Sequence, residues 1–540
     1  MPAKQNNVMK KVILNTLLGL ALATSATAAV VPVTANITSN TTWTKNNTYL
    51  MIGEILVKGA TLTIEPGTIV KADKNTISRL VITTTGKIYA KGTVQEPIIF
   101  TSNQAAGNRR RGDWGGISIA GNAPLNTYDA NGKPIQKVFE CGTAPDYAYG
   151  GSNSDDSSGV FSYVRIEYAG YSCGTNSELN SLSLGGVGRK TMINHVMVTD
   201  ALDDAFELWG GNVNLDHVVS YNTRDDDFDT DNGWSGKAQF GLIVRVDSVA
   251  DEGDTGNGFE SDNDDQSSYK TPYTSGTISN FTVVGFAKTQ ASTIAAQAGW
   301  GARIRRNSAQ SFFNSIFMGW KQGIRFEGAG TQGKFAGDTI EFKNNIVEGS
   351  KDKNFTSSVD SIVLANPTNS NRTATGDANV YTKLTAPFTF PTFNFQPTQT
   401  SPALTGASFA SSKLSGLPTT TYVGAFDGTN NWLAGWTNFY PQFANYTTGL
   451  VDAKAFLNSV SVYPNPANSN LNIAVSSKED LEVTIEVLDM NGRVVIARKD
   501  QLTIGENIAT FDVSNFANGL YFVRVAGADF AVSHKISINR

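Results

Sequence analysis

Between residues 42 and 345 the hydrophobic positions form short runs that are separated by Gly, Asn and Asp, and helical spacing is almost absent. Examples are the segments ILVKGATLTIEPGTIVKA, LVITTTGKIYAKG and WGGISIAG. Short β-branched or alternating runs bounded by turn-forming residues are typical of β-strands. The pattern therefore predicts an all-β chain with many short strands.

Segments within this region also repeat one another. Residues 193–198 (INHVMV) align with residues 215–219 (LDHVV), which places His195 and His217 22 residues apart. The segments ISNF, FNSI and FKNNI repeat the same pattern at longer spacings. Such a period is typical of a parallel β-solenoid, whose coils stack about 4.8 Å apart. We interpret the two histidines as members of a stacked column, rather than as ligands or catalytic residues.

The last part of the chain has a different pattern. The segment SVYPNPANSNLNI contains Pro464 and Pro466, which lack a backbone donor and cannot lie in a central strand. The alternating segments LNIAV, VTIEVLD and RVVIA follow, and the pair Asn491-Gly492 between the last two is typical of a hairpin turn. This pattern predicts a small, separate β-sandwich after an extended joint.

The first residues read as a targeting segment. Two lysines precede an apolar run over residues 12–23, which has signal-peptide length and is too short to span a bilayer. Small residues at 26–28 fit a cleavage site. The predicted organisation is a signal peptide over 1–28, a parallel β-helix with a closing region over 29–441, a linker over 442–459 and a β-sandwich over 460–540. We predict no transmembrane segment in the mature chain.

Composition narrows the possible chemistry. The net charge of the 540-residue chain is −5, which does not favour a nucleic-acid partner. Three histidines argue against a His-based zinc site or a Ser-His-Asp triad. The two cysteines, Cys141 and Cys173, would meet an oxidising compartment after export, so either a disulfide between them or two buried thiols is expected.

A series of motifs in the long middle region resembles a known family. The motifs are GATLTIEPGTIVKA, GDWGGISIAG, SGVFSYVRIEYAG, LSLGGVG, DDAFELWGG, DDDFDTDNGWSGKAQFGLIVR and NGFESDND, followed by SPALTGA and YVGAF…WLAGWTNF between residues 401 and 439. Over residues 42–441 the chain resembles the right-handed parallel β-helix surface proteins of Bacteroidetes. The resemblance implies that fold and a place at the cell surface, but no settled biochemical activity.

The C-terminal segment resembles the type A sorting domain of the Bacteroidetes type IX secretion system. The residues that carry the resemblance are Pro464, Asn465, Pro466, Asp489, Asn491, Gly492, Arg493, Gly519, Tyr521 and Lys535. It implies a small Ig-like β-sandwich whose partner is the type IX secretion machinery. It also implies passage to the periplasm by the signal peptide, then export to the outer-membrane surface or the extracellular space, usually with removal of the sorting domain.

Three segments are unusually rich in Asp and Glu and align on their phenylalanines: DDAFELWGG, DDDFDTDNG and GNGFESDND. If Phe206, Phe228 and Phe259 point into the coil, alternation points the residues one and three further on outwards. Two like charges about 5 Å apart repel by roughly 3 kcal/mol at an effective dielectric of 20, but by under about 1 kcal/mol in water. A solvated column is tolerable, whereas a shielded one needs a cation.

Either a bound Ca²⁺ or arginine side chains could neutralise the negative charge of this acidic column. Ca²⁺ accepts several carboxylate oxygens in flexible geometry, and its predicted ligands are Glu207, Asp227, Asp229, Asp231, Glu260 and Asp262. Alternatively, the segment GARIRR points Arg303 and Arg305 outwards on the next coil, where they would pair with Glu260 and Asp262. The structural ion-pair ladder and the calcium site both stay open.

The function is less specified than the fold. We commit to no catalytic residue, but a calcium-assisted polysaccharide lyase or a glycoside hydrolase would use Arg303, Arg305, Asp229 and Glu260. The local motifs of those enzymes are absent, and fold does not imply function. Trp209, Trp234 and Trp300 would either stack on sugar rings or cap the coils. The sequence favours a non-enzymatic adhesin, surface-structure or glycan-binding protein, with surface or extracellular polysaccharide as a possible partner.

Overall fold

The computed structural model describes residues 30–174, 177–246, 255–356, 363, 366–446, 456–490, 493–527 and 530–539, so the predicted signal peptide lies outside the described residues. Strands dominate these residues. The helices among them are one short α-helix, α1 at Ala329–Gly333, and 3-10 turns at Lys74–Thr76, Pro367–Asn369, Pro402–Leu404, Ser412–Leu414 and Pro441–Phe443.

The strands of the long N-terminal region are short, as the hydrophobic pattern predicts. They are β1 Val30–Val33, β2 Thr41–Trp43, β3 Thr48–Met51, β4 Glu54–Val57, β5 Thr61–Ile64, β6 Ile69–Ala72, β7 Arg79–Ile82, β8 Lys87–Lys91, β9 Ile98–Ser102, β10 Ile117–Ala120, β11 Lys137–Val138, β12 Ala148–Tyr149, β13 Gly159–Glu167, β14 Tyr171–Gly174, β15 Ser177–Leu179, β16 Leu182–Gly185, β17 Met192–Thr199, β18 Phe206–Trp209, β19 Asn214–Tyr221, β20 Phe228–Asp231, β21 Lys237–Val244, β22 Phe259–Ser261, β23 Thr277–Val284, β24 Trp300–Ile304, β25 Ser311–Phe313, β26 Ile316–Met318, β27 Gln322–Phe326, β28 Phe342–Lys343, β29 Ile346–Glu348, β30 Lys353–Phe355, β31 Arg372–Ala374, β32 Leu384–Ala386 and β33 Asn394–Pro397.

These strands stack as the three faces of a parallel β-helix. Face A is a ten-stranded parallel sheet with the order β4-β7-β10-β16-β18-β20-β22-β24-β27-β30. Faces B and C belong to one 17-stranded sheet that turns a corner. Strand β13, for example, pairs with β8 before the corner and with β9 after it. The all-β parallel β-helix predicted from the sequence is therefore confirmed.

The corner between faces B and C is built by one left-handed residue per coil. These residues are Tyr163, His195, His217, Phe240 and Asn280, with φ between 49° and 57°. The rings of His195 and His217 stack at 4.6 Å with 3° between their planes, and Tyr163 stacks on His195 at 4.2 Å. Burial, followed by the neighbouring His217, lowers the pKa of His195 to about 4. The histidines therefore form the stacked column that their 22-residue spacing predicts.

The interior of the coils holds a ladder of like side chains. Phe206, Phe228 and Phe259 occupy equivalent positions of β18, β20 and β22. Their rings stack at 4.6 Å and 5.4 Å, and all three are at most 1% exposed. Each coil contributes only a narrow apolar face, so the core is completed by its neighbours along the axis.

A closing region packs across the outside of the histidine corner. The ring of Trp432 meets His217 edge-on at 4.9 Å, and Trp436 meets His195 at 5.6 Å. Both tryptophans lie in a second hydrophobic cluster that also includes outward-facing residues of β17, β19 and β21. The predicted closing segment thus shields one corner of the β-helix from solvent.

The C-terminal region is a separate two-sheet sandwich. Its strands are β34 Leu457–Tyr463, β35 Asn470–Ser477, β36 Leu481–Leu488, β37 Val494–Leu502, β38 Gly505–Asp512, β39 Gly519–Ala526 and β40 Ala531–Ile538. The antiparallel sheets β34-β35-β38 and β37-β36-β39-β40 enclose one apolar core. This confirms the predicted β-sandwich, although β34 begins inside the predicted linker. The predicted turn residues Asn491 and Gly492 lie outside the described residues.

Candidate functional site

The acidic motifs form one column along the outside of face A. The register places Glu207 of β18 beside Asp229 of β20, then Glu260 of β22. Arg303 of β24 and Arg325 of β27 continue the same column. Since the phenylalanine ladder fills the interior, these side chains point away from the core, as alternation predicts.

The column is nevertheless covered. Residues 121–158, between β10 and β13, fold back over face A, and the ring of Phe139 packs against Trp209 at 5.7 Å. The structure joins Cys141 of this cover to Cys173 of β14 by a disulfide, with a Cα–Cα distance of 6.3 Å. Glu207 and Glu260 are 8% and 5% exposed. Alternation predicts which way a side chain points, but not whether a distant segment covers it.

Arginines neutralise the downstream half of this column. The Arg305 guanidinium pairs with both Glu260 and Asp262, with 2.9 Å from its Nε to Asp262 Oδ1. Arg303 lies 3.5 Å from Glu260 and 3.1 Å from Glu327. The pairing of Glu260 and Asp262 with the two arginines of the next coil is the ion-pair ladder anticipated from the sequence.

The pKa shifts of the downstream half reflect this pairing. Burial raises the pKa of Glu260 well above its ordinary value, while the neighbouring Arg305 opposes the rise. Burial alone would lower the pKa of Arg305, but Glu260 and Asp262 outweigh it and raise that pKa. The arginine therefore stays charged and compensates two buried carboxylates.

The upstream half has a different environment. Asp204, Glu207 and Asp229 each bring a carboxylate oxygen within 4.8 Å of the others. Among the described residues, no lysine or arginine forms an ion pair with these three carboxylates. Glu207 accepts a hydrogen bond from the Asn180 amide, and Asp204 Oδ1 accepts one from the backbone of Asp226 at 2.9 Å. Asp229 Oδ1 is buried, and the described residues supply no hydrogen-bond donor to it.

Burial and mutual repulsion make the upstream carboxyls weak acids. Burial, followed by the neighbouring Asp229, raises the pKa of Glu207 well above its ordinary value. Burial, followed by Asp203, does the same for Asp204. Burial and Asp262 raise the pKa of Asp231 to about 7. Without a counter-charge this cluster tends to hold protons, and a cation would compete with them for the same oxygens.

The structure separates the residues that were predicted to bind metal. Glu207 and Asp229 lie in the upstream cluster, whereas Glu260 and Asp262 are paired with arginine. Asp227 contradicts the prediction, because its carboxylate pairs with Arg245 at 2.8 Å and both side chains are at most 1% exposed. Asp227 precedes β20, where strand alternation no longer predicts direction.

The ligands predicted from the sequence do not include Asp204. The residue stands two positions before Phe206, the first residue of β18. The alternation argument therefore does not reach it. The available signal was the pair Asp203-Asp204 one coil above Asp225-Asp226, at the same 22-residue period.

The three tryptophans do not present free ring faces for sugar stacking. Trp209 and Trp234 are 7% and 1% exposed, and Trp234 Nε1 donates to the Val213 carbonyl at 3.1 Å. Trp300 is partly exposed, but the guanidinium groups of Arg303 and Arg325 lie 4.8 Å and 5.2 Å from its ring. Trp209 packs against Phe139 and Tyr149, and Trp234 lies in the main core, so both burials speak against sugar stacking by these two rings.

The residues of the enzymatic alternative are brought together but are not accessible. Asp229 and Glu260 stand on adjacent strands, and Glu260 pairs with both Arg303 and Arg305. The side chains of Glu260 and Arg305 are 7% and 12% exposed. Only a small part of either group is therefore exposed to a polymer substrate.

The sorting motifs of the C-terminal sandwich converge at its ends. The Asn465 side chain, between Pro464 and Pro466, donates to the Lys535 carbonyl at 3.2 Å and accepts from the Ser537 backbone at 2.9 Å. The first motif is thereby fastened to the last strand, β40.

The central motifs are also structural. Asp489 accepts a hydrogen bond from the Arg493 backbone at 3.0 Å and pairs with its guanidinium at 3.1 Å. The Tyr521 hydroxyl donates to the Ala517 carbonyl at 3.0 Å, just before Gly519 begins β39. The first contact closes the hairpin between β36 and β37, and the second fixes the connection from β38 just before β39 begins.

Comparison with known proteins gives this architecture a family. Residues 35–389 match the pectate-lyase-like β-helix domain. The chain belongs to this family. In this pectate-lyase-like β-helix protein, residues 461–539 match the secretion system C-terminal sorting domain. No curated protein matches the chain.

One solved structure shows a distant likeness to this pectate-lyase-like β-helix protein. It is the full-length tailspike protein 2 from the Escherichia coli O157:H7 bacteriophage CAB120, with 10% sequence identity and a TM-score of 0.20. The match covers 91% of this chain and 64% of the tailspike chain. At that TM-score the likeness has no bearing on function.

The C-terminal match indicates the cellular location of this pectate-lyase-like β-helix protein. Its C-terminal sandwich is a type IX sorting domain, which implies handling by that secretion machinery and export to the cell surface or the extracellular space. The described part of the chain has no helix with the length and apolar character of a membrane span. The signal-peptide route through residues 1–28 stays a prediction.

Proposed function

We propose that this exported β-helix protein is a non-enzymatic adhesin that binds surface or extracellular glycan. The observation that carries the proposal is the covered column on face A. Of the residues that a lyase or a hydrolase would use, Glu260 is buried and Asp229, Arg303 and Arg305 are only partly exposed, and Glu260 is paired with both arginines. The β-helix then serves as a rigid body that displays binding surfaces outside the cell.

The alternative, a calcium-assisted lyase or a hydrolase acting at the acidic coils, has a specific difficulty. A hydrolase needs two carboxyl groups on either side of the glycosidic bond, and a lyase needs a metal and a base in contact with the uronate. Residues 121–158 occupy the space in which a polymer would have to lie against Glu207 and Asp229. The geometry therefore favours a structural role for these residues.

We further propose that the upstream cluster binds a structural Ca²⁺. Asp204 and Glu207 are buried beside the half-buried Asp229, and Asp229 Oδ1 has no donor among the described residues. Ca²⁺ accepts carboxylate oxygens in irregular geometry, whereas Mg²⁺ retains several waters that a largely buried site accommodates poorly. The cation would remove the repulsion within the cluster and tie two neighbouring coils together on face A.

The glycan proposal is tested by binding and degradation measured on the same preparation. The full-length protein is applied to a glycan array with and without Ca²⁺, and each bound polysaccharide is then incubated with the protein for a long period. We expect binding with no change in polymer length and no new unsaturated ends absorbing in the ultraviolet. Heat-denatured protein is the control for adventitious binding.

The outcomes separate the two functions. Newly formed unsaturated ends would contradict the non-enzymatic proposal and favour a lyase, and new reducing ends would favour a hydrolase. The enzymatic outcome also has to disappear in the Glu260→Gln variant, because that carboxylate is central to the alternative site. Absence of any bound glycan on the array would overturn glycan binding itself.

A further inference from the structure

A second region of the β-helix has the character of a ligand site. A cavity of about 520 Å³ lies where three successive coils of the β-helix meet the end of the closing region, a volume within the range of small-molecule sites. Its lining includes Arg109, Arg110, Arg111, Tyr168, Asp200, Asn222, Phe439 and Tyr440, and Met490 of the sorting domain borders one side in the full-length chain. None of these residues belongs to the acidic column of face A.

One wall of the cavity is a ladder built by the fold. Tyr168, Asp200 and Asn222 each follow a long strand that spans faces B and C, and all three adopt left-handed φ values of 64°, 54° and 59°. The backbone of Tyr168 donates to Thr199, and that of Asp200 donates to Tyr221, each at 2.9 Å. The side chains of three coils are therefore stacked at one corner of the β-helix.

Several hydrogen-bonding groups around this cavity lack a partner. The Tyr168 hydroxyl, Asn222 Oδ1 and the Tyr440 hydroxyl are buried, and the described residues supply none of them with a hydrogen bond. Tyr168 and Asn222 are only 3% and 8% exposed. Buried polar groups in folded proteins almost always have partners. Three unpartnered oxygens bordering one cavity point to an occupant that is rich in hydroxyl groups, or to the water that it replaces.

The charge around the cavity is positive. Arg109 is 4% exposed, donates to the carbonyls of Pro441 and Ala444 at 2.8 Å and 2.9 Å, and lies over the ring of Tyr446 at 4.8 Å. Within the described part of the chain, no carboxylate lies at ion-pair distance from Arg109. A buried guanidinium without a counter-ion favours a bound anion.

The two neighbouring arginines extend this charge. Arg110 is exposed, and its Nη1 donates to the carbonyls of Gly107 and Arg109 at 3.0 Å and 2.7 Å. Arg111 lies 3.3 Å from Asp200, which is the one acidic side chain among the described residues of the lining. Three arginines and one aspartate give this described part of the lining an excess of positive charge.

We propose that this cavity binds a carboxylated sugar residue of an acidic polysaccharide. Guanidinium groups match the planar carboxylate in charge and geometry, and the unpartnered oxygens of Tyr168, Asn222 and Tyr440 are suited to sugar hydroxyls. The rings of Tyr221 and Phe439, which meet edge-on at 5.2 Å, add an apolar surface to the lining. The inference rests on the proposed glycan binding and names the charge class of the glycan and the place where it is held.

The test is calorimetric titration of the full-length protein with trigalacturonate, maltotriose and inorganic phosphate. We expect trigalacturonate to bind, with an affinity that falls as salt is added, while the neutral maltotriose and the phosphate bind at least tenfold more weakly. Arg110→Gln should weaken trigalacturonate binding about tenfold, because it removes a charge whose only described contacts are two carbonyls of its own loop.

Tyr168→Phe is the sharper variant. It removes a hydroxyl that has no partner among the described residues, so melting temperature should be unchanged or raised while affinity for trigalacturonate falls several-fold. Two matched substitutions of exposed residues outside the cavity lining, Tyr89→Phe and Arg189→Gln, should leave the affinity unchanged.

The outcomes distinguish this inference from glycan binding in general. Equal affinity for phosphate and trigalacturonate would overturn the sugar assignment in favour of a simple anion site. Trigalacturonate binding that is unchanged in both Arg110→Gln and Tyr168→Phe would overturn the location. Neutral glycans bound on the array, with no trigalacturonate binding, would overturn this inference and leave the proposed function intact. No binding of any saccharide would overturn both.

Discussion

The upstream rungs of face A, at Glu207 and Asp229, carry the same kind of side chain, in the same register, as the downstream rungs at Glu260 and Asp262. Their neighbours differ. The downstream carboxylates face Arg305 from the next coil. Among the described residues, the upstream carboxylates form no ion pair with a lysine or arginine, and their charged neighbours are mostly other carboxylates, with Arg305 acting on Asp229 from a greater distance. A repeated motif in a solenoid therefore does not have one chemistry, because each rung takes its environment from the coil that follows.

The difference also determines where each half obtains its neutralising charge. The downstream half is compensated from within the chain, so its stability depends on an arginine and little on the solution. The upstream half depends on what the solution supplies, which is protons at low pH or a cation at neutral pH. Stability measurements on one protein can therefore separate the two halves.

The largest expected effect comes from Arg305→Ala. This substitution leaves Glu260 and Asp262 buried without their shared counter-ion, and the free energy of unfolding should fall by about 3–5 kcal/mol. Denaturant unfolding of the variant and the wild type measures the change. Arg306→Ala is the matched control, since Arg306 pairs with the same Asp262 at 2.7 Å but is 40% exposed, and it should cost about 0–1 kcal/mol. Equal losses in the two variants would contradict the asymmetry.

The next effect concerns the upstream half and calcium. A Ca²⁺ bound only by the folded state at a hundredfold excess over Kd stabilises it by about 2.7 kcal/mol. Chelator should therefore lower the melting temperature of the wild type, and the double variant Glu207→Gln/Asp229→Asn should no longer respond. Asp262→Asn should keep the response although it is itself less stable, because Asp262 belongs to the downstream half. A wild-type melting curve that ignores chelator would eliminate the calcium proposal.

The smallest effect is a pH dependence in the presence of chelator. Burial and Asp262 raise the pKa of Asp231 to about 7, above the value of about 3.9 expected in the unfolded chain. The folded state therefore holds this proton more tightly, and the resulting stability is lost as pH rises through 7. The slope from this single group is at most about 1.4 kcal/mol per pH unit.

Melting curves between pH 5 and 8 at constant ionic strength measure that slope. Asp231→Asn should reduce the slope by the contribution of this one group, while the other buried carboxyls keep the rest. Asp155→Asn, at an exposed carboxyl, should leave the slope unchanged. A wild-type stability that rises with pH in chelator would show that the buried carboxyls are already charged in the folded state, contrary to the proposed dependence.

The fold was largely predictable because the coil length of a solenoid appears in the sequence as a repeat of the same length. The 22 residues between His195 and His217 are one coil, and the phenylalanine alignment gave the correct direction for Glu207 and Asp229. The ion pairs of Arg305 followed from the same alternation, extended by one coil. These are local or near-neighbour relations, and a repeating backbone preserves them.

What the sequence did not reveal depends on distant contacts. The cover formed by residues 121–158 has no periodicity, so the burial of Trp209 could not be predicted from its own segment. Asp204 and Asp227 lie just before strands, where a turn breaks the alternation, so alternation does not predict their directions. The arginine-lined cavity brings the loop around Arg110 to Tyr440, more than 300 residues later in the chain, and no local pattern connects them.

The hydrogen bonds of Asn465 have a consequence for the order of events in export. They join the opening motif of the sorting domain to the backbone of Lys535 and Ser537, in its final strand. The ribosome makes β40 after the other strands of the sorting domain. A chain that ends before β40, or loses β40 to a protease, retains the residues Pro464, Asn465 and Pro466. It lacks the two hydrogen bonds that hold Asn465 in place. We therefore expect the secretion machinery to recognise the sorting domain only when β40 has been made and is paired with the opening motif. Export would then depend on a complete sorting domain.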